Sequence, residues 1–447
     1  MLTAFLRAFR TPDLRKKLLF TLFIIAVFRL GATLPTPGIS EKAVNTCLQV
    51  ASTSGSAGLF QLVNLFSGGS LLKLTVFALG IMPYITASII LQLLAVVIPR
   101  LETLRQEGQS GQAKITQYTR YLTVGLAILQ STGIVALARS GNLFPGVTSP
   151  SCSHLIPNPS VFTIGTMVVT MTAGTAVIMW LGELITDRGV GNGMSLMIFT
   201  QVIAVIPGEM EQIYQTKHAL VFLIVLAVGV AIVAFVAFME QAQRRIPVQY
   251  AKRMVGRKMY GGTSTYIPLK VNQAGVIPVI FASSLLYIPQ LAAQLFGKTT
   301  ATSGWTVWVQ QHLTTGQPGS TLQSQSYYMA SFFVLIVFFT YFYVSITFNP
   351  TEVADNMKKY GGFIPGIRPG GPTAGYLSYV LSRLTAPGSV YLGAVALIPV
   401  IAIALVGASQ QFPLGGTSIL IAVGVGLDTV KQIESQLQQR NYEGFLR

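Results

Sequence analysis

Residues able to do chemistry are scarce in this chain, and their spacing is poor for it. The only histidines, His154, His218 and His312, lie in separate loops, so no HExxH-type metal site exists. Gly297-Lys298-Thr299 ends like a phosphate-binding P-loop, but the first glycine of that motif would fall at Ala292. Gly191-Asn192-Gly193 is a faint phosphate-loop echo and reads better as a tight turn. Glu183, Asp187, Glu240 and Asp428 all sit near the ends of apolar runs, which leaves no acids at membrane depth to relay protons. Arg29 is the one charge deep inside an apolar run. It either serves function or pairs with backbone carbonyls around the Pro35-Thr36-Pro37 kink. Cys47 and Cys152 are too few for a disulfide framework; both face outward and could pair with each other, but the favoured reading is two lone thiols acting as small hydrophobes. No catalysis, metal or cofactor is expected.

The rest of the chain explains the scarcity. Of 447 residues, 51% are apolar and only 10% charged, against about 25% charged in a soluble protein. Ten apolar spans can be marked, at roughly 18–38, 71–98, 118–138, 160–181, 194–207, 219–239, 273–296, 327–348, 376–407 and 415–435. The stretch Gly58 to Pro99 departs from that rhythm. A short apolar run, Leu59 to Phe66, is broken at Ser67-Gly68-Gly69-Ser70 before the long run Leu71 to Ile98 begins. A half-helix feeding a full one leaves backbone groups that lipid cannot satisfy, so it must face protein or water. The expectation is a polytopic protein with an internal aqueous path and a re-entrant piece in it.

Charge sets the topology. Of the 30 lysines and arginines, all but Arg29, Lys42, Lys73, Arg139, Lys217 and Lys298 fall in the segments on the side of the termini. The positive-inside rule places both termini in the cytoplasm. The net charge of +16 is thus a topology signal and needs no nucleic acid to explain it. Residues 1–17 form a basic cytoplasmic N-terminus with no cleavage site after the first span, and 436–447 a cytoplasmic tail. The N-terminal half covers 18–207 with the re-entrant piece at 58–70, an external loop and the sixth span cover 208–239, and the remainder of the C-terminal half covers 273–435. Two cytoplasmic loops look built. Residues 240–272 read as a protruding basic hairpin, and 349–375 as a compact turn-rich loop with Arg368 between Pro365-Gly366 and Pro369-Gly370. Such loops either dock a partner or serve only as positive anchors.

Several dispersed motifs carry a family resemblance. They are Gly80-Ile-Met-Pro-Tyr-Ile-Thr-Ala-Ser-Ile-Ile, Glu107-Gly-Gln-Ser-Gly, Gln117-Tyr-Thr-Arg-Tyr, Met179-Trp-Leu-Gly-Glu and Asp187-Arg-Gly-Val-Gly-Asn-Gly. Val248-Gln-Tyr-Ala-Lys-Arg, Val271-Asn-Gln-Ala-Gly-Val-Ile-Pro, Ile364-Pro-Gly-Ile-Arg-Pro-Gly and Gly415-Gly-Thr-Ser-Ile-Leu-Ile follow in order. Together they resemble the SecY family, the central subunits of bacterial protein-translocation channels.

The resemblance implies an all-α membrane fold of ten helices, in two inverted pseudo-symmetric five-helix halves around an hourglass pore. It implies a pore ring of Ile81, Ile85, Met194, Ile198, Ile280 and Ile421, with Met194 in place of the usual branched residue. The plug would comprise Leu59, Phe60, Leu62, Val63, Leu65 and Phe66. Thr86, Gln92, Asn272, Ser283 and Ser284 would line a lateral gate between the second and seventh spans. Arg244, Arg245, Lys252, Arg253, Arg257, Lys258, Lys358, Lys359 and Arg368 would dock the motor ATPase SecA and the ribosome. SecE and SecG would be companion subunits, and signal peptides, unfolded preproteins and membrane lipid the other partners. No nucleotide would bind the chain itself. The membrane would be the bacterial plasma membrane or a thylakoid. The rival reading is a secondary transporter of a small solute, which shares broken helices and inverted repeats; the basic loops and missing membrane-depth charges count against it.

Overall fold

The computed structural model describes residues 9, 11–54, 67–139, 141, 155–216, 219–250, 253–255, 258–260, 264–296, 304–313, 322–406 and 416–443. Helices dominate: α1 Pro12–Gly31, α2 Glu41–Ser54, α3 Met82–Val97, α4 Pro99–Gln106, α5 Gln109–Arg139, α6 Val161–Arg188, α7 Gly193–Thr216 and α8 Ala219–Gln241. After a β-hairpin come α9 Ile277–Phe296, α10 Trp305–His312, α11 Leu322–Thr347, α12 Pro350–Lys359, α13 Gly371–Val406 and α14 Gly416–Glu443. Each of the ten expected spans coincides at least partly with a helix. Among the described residues, length and apolarity alone single out five: Gln109–Arg139, Val161–Arg188, Phe222–Gln241, Ser326–Lys359 and Gly371–Ile398. The α3–α4 pair, bent by 106° at Pro99, makes a sixth if it is one span.

Leu71 to Ile98 is not the continuous helix that its apolarity suggests. Residues 67–81 are turns, and the helix starts only at Met82. Positive φ at Leu74 (48°) and Gly80 (56°) prevents helical propagation, and Pro83 suits the first turn of α3, where its missing N–H costs nothing. The Leu59–Phe66 half-element lies outside the described residues. Cys47 also corrects an expectation. It is disulfide-bonded and not a lone thiol, and the chain's other cysteine, Cys152, lies outside the described residues. Disulfides persist in oxidising compartments, in agreement with the outward side that charge assigns to α2. Cys47 is fully buried among Val44, Leu71, Leu74, Ile134 and Leu155.

Close helix packing depends on glycine. A Cβ on Gly193 would lie 1.8 Å from the Gly182 carbonyl oxygen, and one on Gly416 would lie 1.6 Å from that of Val395. Small residues let membrane helices touch backbone to backbone. Here they draw α7 onto α6 and α14 onto α13.

The cytoplasmic loops form one body. β1 Gln243–Tyr250 pairs antiparallel with β4 Ser264–Lys270, in register Arg245↔Pro268 and Ile246↔Ile267. β2 Arg253–Val255 and β3 Lys258–Tyr260 extend the hairpin. β5 Gly362–Phe363, from the second loop, adds to the other edge of β1. Ile246, Val248 and Leu269 pack with Met357, Ile364 and Leu377 beneath the sheet. Substituting Gly193 with valine should separate α6 from α7 and cost about 1–3 kcal/mol, as overpacking does. Thermal unfolding in detergent checks this; an unshifted midpoint would show that the contact is dispensable.

Candidate functional site

A cavity of about 560 Å³ opens among α3, α5, α6, α7, α9 and α14. Its wall is of two kinds. Gln112, Thr116, Arg120, Glu183, Asp187 and Asn192 make part of it polar, while Ile85, Met194, Ile198, Ile280 and Ile421 line it with hydrocarbon. Arg120 grips Glu183 through Nε and Nη2 at 2.8 and 2.7 Å, a bidentate pair tying α5 to α6 in the wall. The pair is half exposed on the arginine side, so solvent screens it and its role is geometric more than energetic.

The start of α7 is fixed by the turn Gly191-Asn192-Gly193. Asn192 Oδ1 accepts from the backbone N–H groups of Met194 and Ser195 at 3.1 and 3.4 Å, an N-terminal cap. Thr186 Oγ1 accepts from Gly193 N–H at 2.9 Å. These bonds aim Met194, and one turn later Ile198, into the cavity. The motif that echoes a phosphate loop is therefore a cap.

All six expected ring residues join one apolar cluster. Ile81, Ile198, Ile280 and Ile421 are among its buried members, and Ile85 and Met194 pack against them. They come from positions far apart in the chain, and all but Ile81 also line the cavity. Met194 rests on α6, where a Cβ on Gly182 would come within 2.6 Å of its Sδ. The absent side chain at Gly182 makes the room that the longer methionine uses.

The five seam residues behave differently. Thr86 Oγ1 donates to Met82 O at 3.0 Å, Gln92 Nε2 to Ser88 Oγ at 3.4 Å and Ser283 Oγ to Ile280 O at 2.9 Å, each within its own helix. Ser284 Oγ is buried with no partner. Asn272 Nδ2 donates to Glu240 Oε1 and to Gly275 O, so it ties the start of α9 to the end of α8. None of these bonds links α3 to α9.

Of the basic residues, Arg244, Arg245, Lys358, Lys359 and Arg368 are exposed on the cytoplasmic body. Arg245 lies over the Tyr266 ring, 4.9 Å from its centroid. Arg253 and Lys258 are on β2 and β3, while Lys252 and Arg257, like the six plug residues, fall outside the described residues. Arg368 is presented between Gly366 (φ 83°) and Gly370 (φ 101°), and its carbonyl accepts from Thr373 Oγ1 at 2.8 Å. Sequence reasoning found Arg120 and Glu183 only as motif members. They are 63 residues apart, and no local spacing announces the pair.

A mostly helical membrane protein with a cavity lined by five of the six expected ring residues fits the class of membrane channels. The SecY family model matches residues 75–430. Protein translocase subunit SecY of Streptomyces scabiei is 65% identical, and that of Mycobacterium tuberculosis 59% identical, each over 100% of both chains. A solved protein-conducting channel overlays with TM-score 0.64 at 19% identity, covering 94% of this chain and 91% of its own. A SecY whose plug domain stabilises the closed state overlays with TM-score 0.61 at the same identity and coverage. This chain belongs to the SecY family, and it is a protein-conducting channel subunit. That membership sets aside the small-solute transporter.

Polar substitution should wet the ring. Ile198→Asn is expected to raise ion conductance of resting vesicles by an order of magnitude or so, because a narrow apolar constriction excludes ions by dewetting. Conductance equal to the parent would locate the barrier elsewhere.

Proposed function

We propose that unfolded secretory polypeptide enters the polar funnel from the cytoplasm, crosses the six-residue ring, and leaves on the far side, while apolar segments exit between α3 and α9. The observation that supports this is that all six ring side chains join one apolar cluster and that five of them, all but Ile81, line the same cavity as Arg120, Glu183 and Asp187. Unpaired hydrocarbon side chains can part around any extended sequence, since they offer no specific hydrogen bond to be broken or satisfied. They close again by dispersion and by exclusion of water. The chain acts as a conduit with no chemistry of its own.

The remaining assignments follow the same reading. Leu59 to Phe66 would be the plug on the outer side of the ring. SecE and SecG would be companion subunits, and the membrane the bacterial plasma membrane with both termini in the cytoplasm, as the charge asymmetry supports. Signal segments would be sorted by partitioning at the seam, favourable by a few tenths of a kcal/mol per leucine and costly by roughly 3 kcal/mol per charge. SecA and the ribosome would dock on the cytoplasmic body, whose exposed arginines and lysines suit acidic or phosphate surfaces. ATP or GTP would be hydrolysed by those partners.

Two measurements test this reading. Cys47 and Cys152 are changed to serine, Ile85 to cysteine, and a one-cysteine precursor is stalled during SecA-driven import into vesicles. A disulfide between the residue-85 thiol and the precursor is expected; import without it would put the path elsewhere. Arg368→Glu should abolish motor-driven export while the protein stays folded and assembled. Normal export by that variant would remove the 349–375 loop from the coupling.

A further inference from the structure

Arg29, the charge deep in an apolar run, does not spend its charge on the Pro35 kink. There Leu34 O accepts from Val76 N–H at 2.9 Å, and Thr36 N–H donates to Leu74 O at 3.1 Å. Arg29 Nη1 is buried and has no hydrogen-bond partner. What it touches is the turn 67–70. A Cβ on Gly68 would lie 3.3 Å from Nη1, and on the other side 3.2 Å from the Cα and 3.3 Å from the carbonyl oxygen of Gln201. Gly68 has φ +67°, so other residues are strained there as well as crowded.

Gln201 is the second observation. It is fully buried, and both its Oε1 and Nε2 lack partners. It lies three residues beyond the ring member Ile198 on α7, roughly 4.5 Å further along the helix axis. The turn itself is buried, with Ser67 and Ser70 each 1% exposed. Ser70 Oγ donates to Ala32 O at the end of α1, 3.3 Å away. The turn is therefore wedged between α1 and α7, immediately beside the ring. A buried guanidinium nitrogen and a buried carboxamide, both unspent, are costly to keep. Either group can hydrogen-bond the backbone of a glycine turn that moves by a fraction of an ångström, because such a turn presents bare carbonyls and N–H groups.

We propose that Arg29 and Gln201 form a polar latch on the Ser67–Ser70 turn, holding it against α7 and thereby keeping the adjoining face of the ring covered while no polypeptide is in the channel. Both are positioning residues. Neither belongs to the ring, and the latch rests on the ring being the barrier. Gly68 is the keyhole: a side chain there would crowd both the guanidinium and the α7 backbone, and its positive φ adds strain. Neither group is hydrogen-bonded here, so the latch stands poised beside the turn and engages when a small shift of the turn offers its backbone groups.

Potassium leak and precursor import test this in vesicles containing the full chain expressed with its co-assembling subunits. Gln201→Leu and Arg29→Met should each raise resting leak several-fold, whereas Arg29→Lys, which keeps a donor and the charge, should leak less than Arg29→Met. Gln201→Glu places a carboxylate beside the guanidinium and staples α1 to α7 across Gly68. It should slow import several-fold with leak no higher than the parent. That opposite response of leak and import is what a packing role would not produce. Parental leak in Gln201→Leu and Arg29→Met overturns the latch. Leak that rises in Gln201→Glu as it does in Gln201→Leu, in step with lowered thermal stability, overturns it also. Ile198→Asn separates the two readings. If it leaks and the latch variants do not, the latch alone fails; if it does not leak, the ring fails as barrier and the latch falls with it.

Discussion

A route for polypeptide through lipid must never hold a standing column of water, and under the proposed reading the six apolar side chains that share one cluster would meet that constraint. They come from the start of α3, α7, α9 and α14 and the turn before α3, so the seal exists only if those elements approach within van der Waals reach. Glycines at 193 and 416 permit that approach by letting backbones touch. Polar groups within the helices are kept from competing for it. The hydroxyls of Thr123, Thr175, Thr340 and Thr385 each donate to the carbonyl four residues back, which satisfies them without claiming a neighbour. Polarity that must face water is gathered in the funnel wall, where Arg120 and Glu183 neutralise each other. The ring is thus left as a surface with nothing to hydrogen-bond.

A motor can drive chain through such a seal only from a rigid footing. β1 would supply it by pairing with β4 on one edge and β5 on the other, so that the two separate loops share a sheet. The apolar underside of that sheet packs on α12 and α13. Under the proposed docking, force applied at Arg368 would reach the 36-residue α13 directly. Two positive-φ glycines and the Thr373 hydrogen bond fix the backbone that presents the guanidinium. The side chain alone would have too much rotamer freedom to transmit direction.

The helical elements were legible because lipid imposes a simple rule, namely runs of apolar residues punctuated by charge. The hairpin in residues 240–272 was legible from turn residues between extended-type segments. Contacts set by tertiary distance were not. Arg120 and Glu183 are 63 residues apart, and Asn272 and Glu240 are 32 apart; a single sequence holds no periodicity that joins them. Leu71 to Ile98 misled because hydropathy reports burial and not conformation. The turns at 71–81 are as apolar as a helix would be, and the positive φ at Leu74 and Gly80 reveals the difference. Cys47 misled for a related reason. The count of cysteines cannot tell two separate hydrophobes from a bonded pair that folding brings together. Gln201 drew no notice at all, since one glutamine on an apolar helix looks like surface until its burial is known.

The hydrogen bonding at the seam bears on how α3 and α9 would part. Thr86, Gln92 and Ser283 each satisfy themselves within their own helix, so separation breaks no hydrogen bond between the two. What separation removes is apolar contact, such as that of Ile85 with the cluster shared by Val279, Phe281 and Leu286. Lipid tails or an apolar segment of substrate replace such contact at nearly equal value, because hydrocarbon does not distinguish one hydrocarbon from another. A polar substrate segment cannot make that exchange. The opening cost then depends on what enters, and selectivity arises without a binding pocket. Asn272 has the complementary task. Its bonds to Glu240 and Gly275 fasten the start of α9 to α8, so in the proposed gate the helix would swing from that end and not slide as a whole. With Thr86, Gln92 and Ser283 making no bond across it and a fastening at one end, such a seam would open as a hinge.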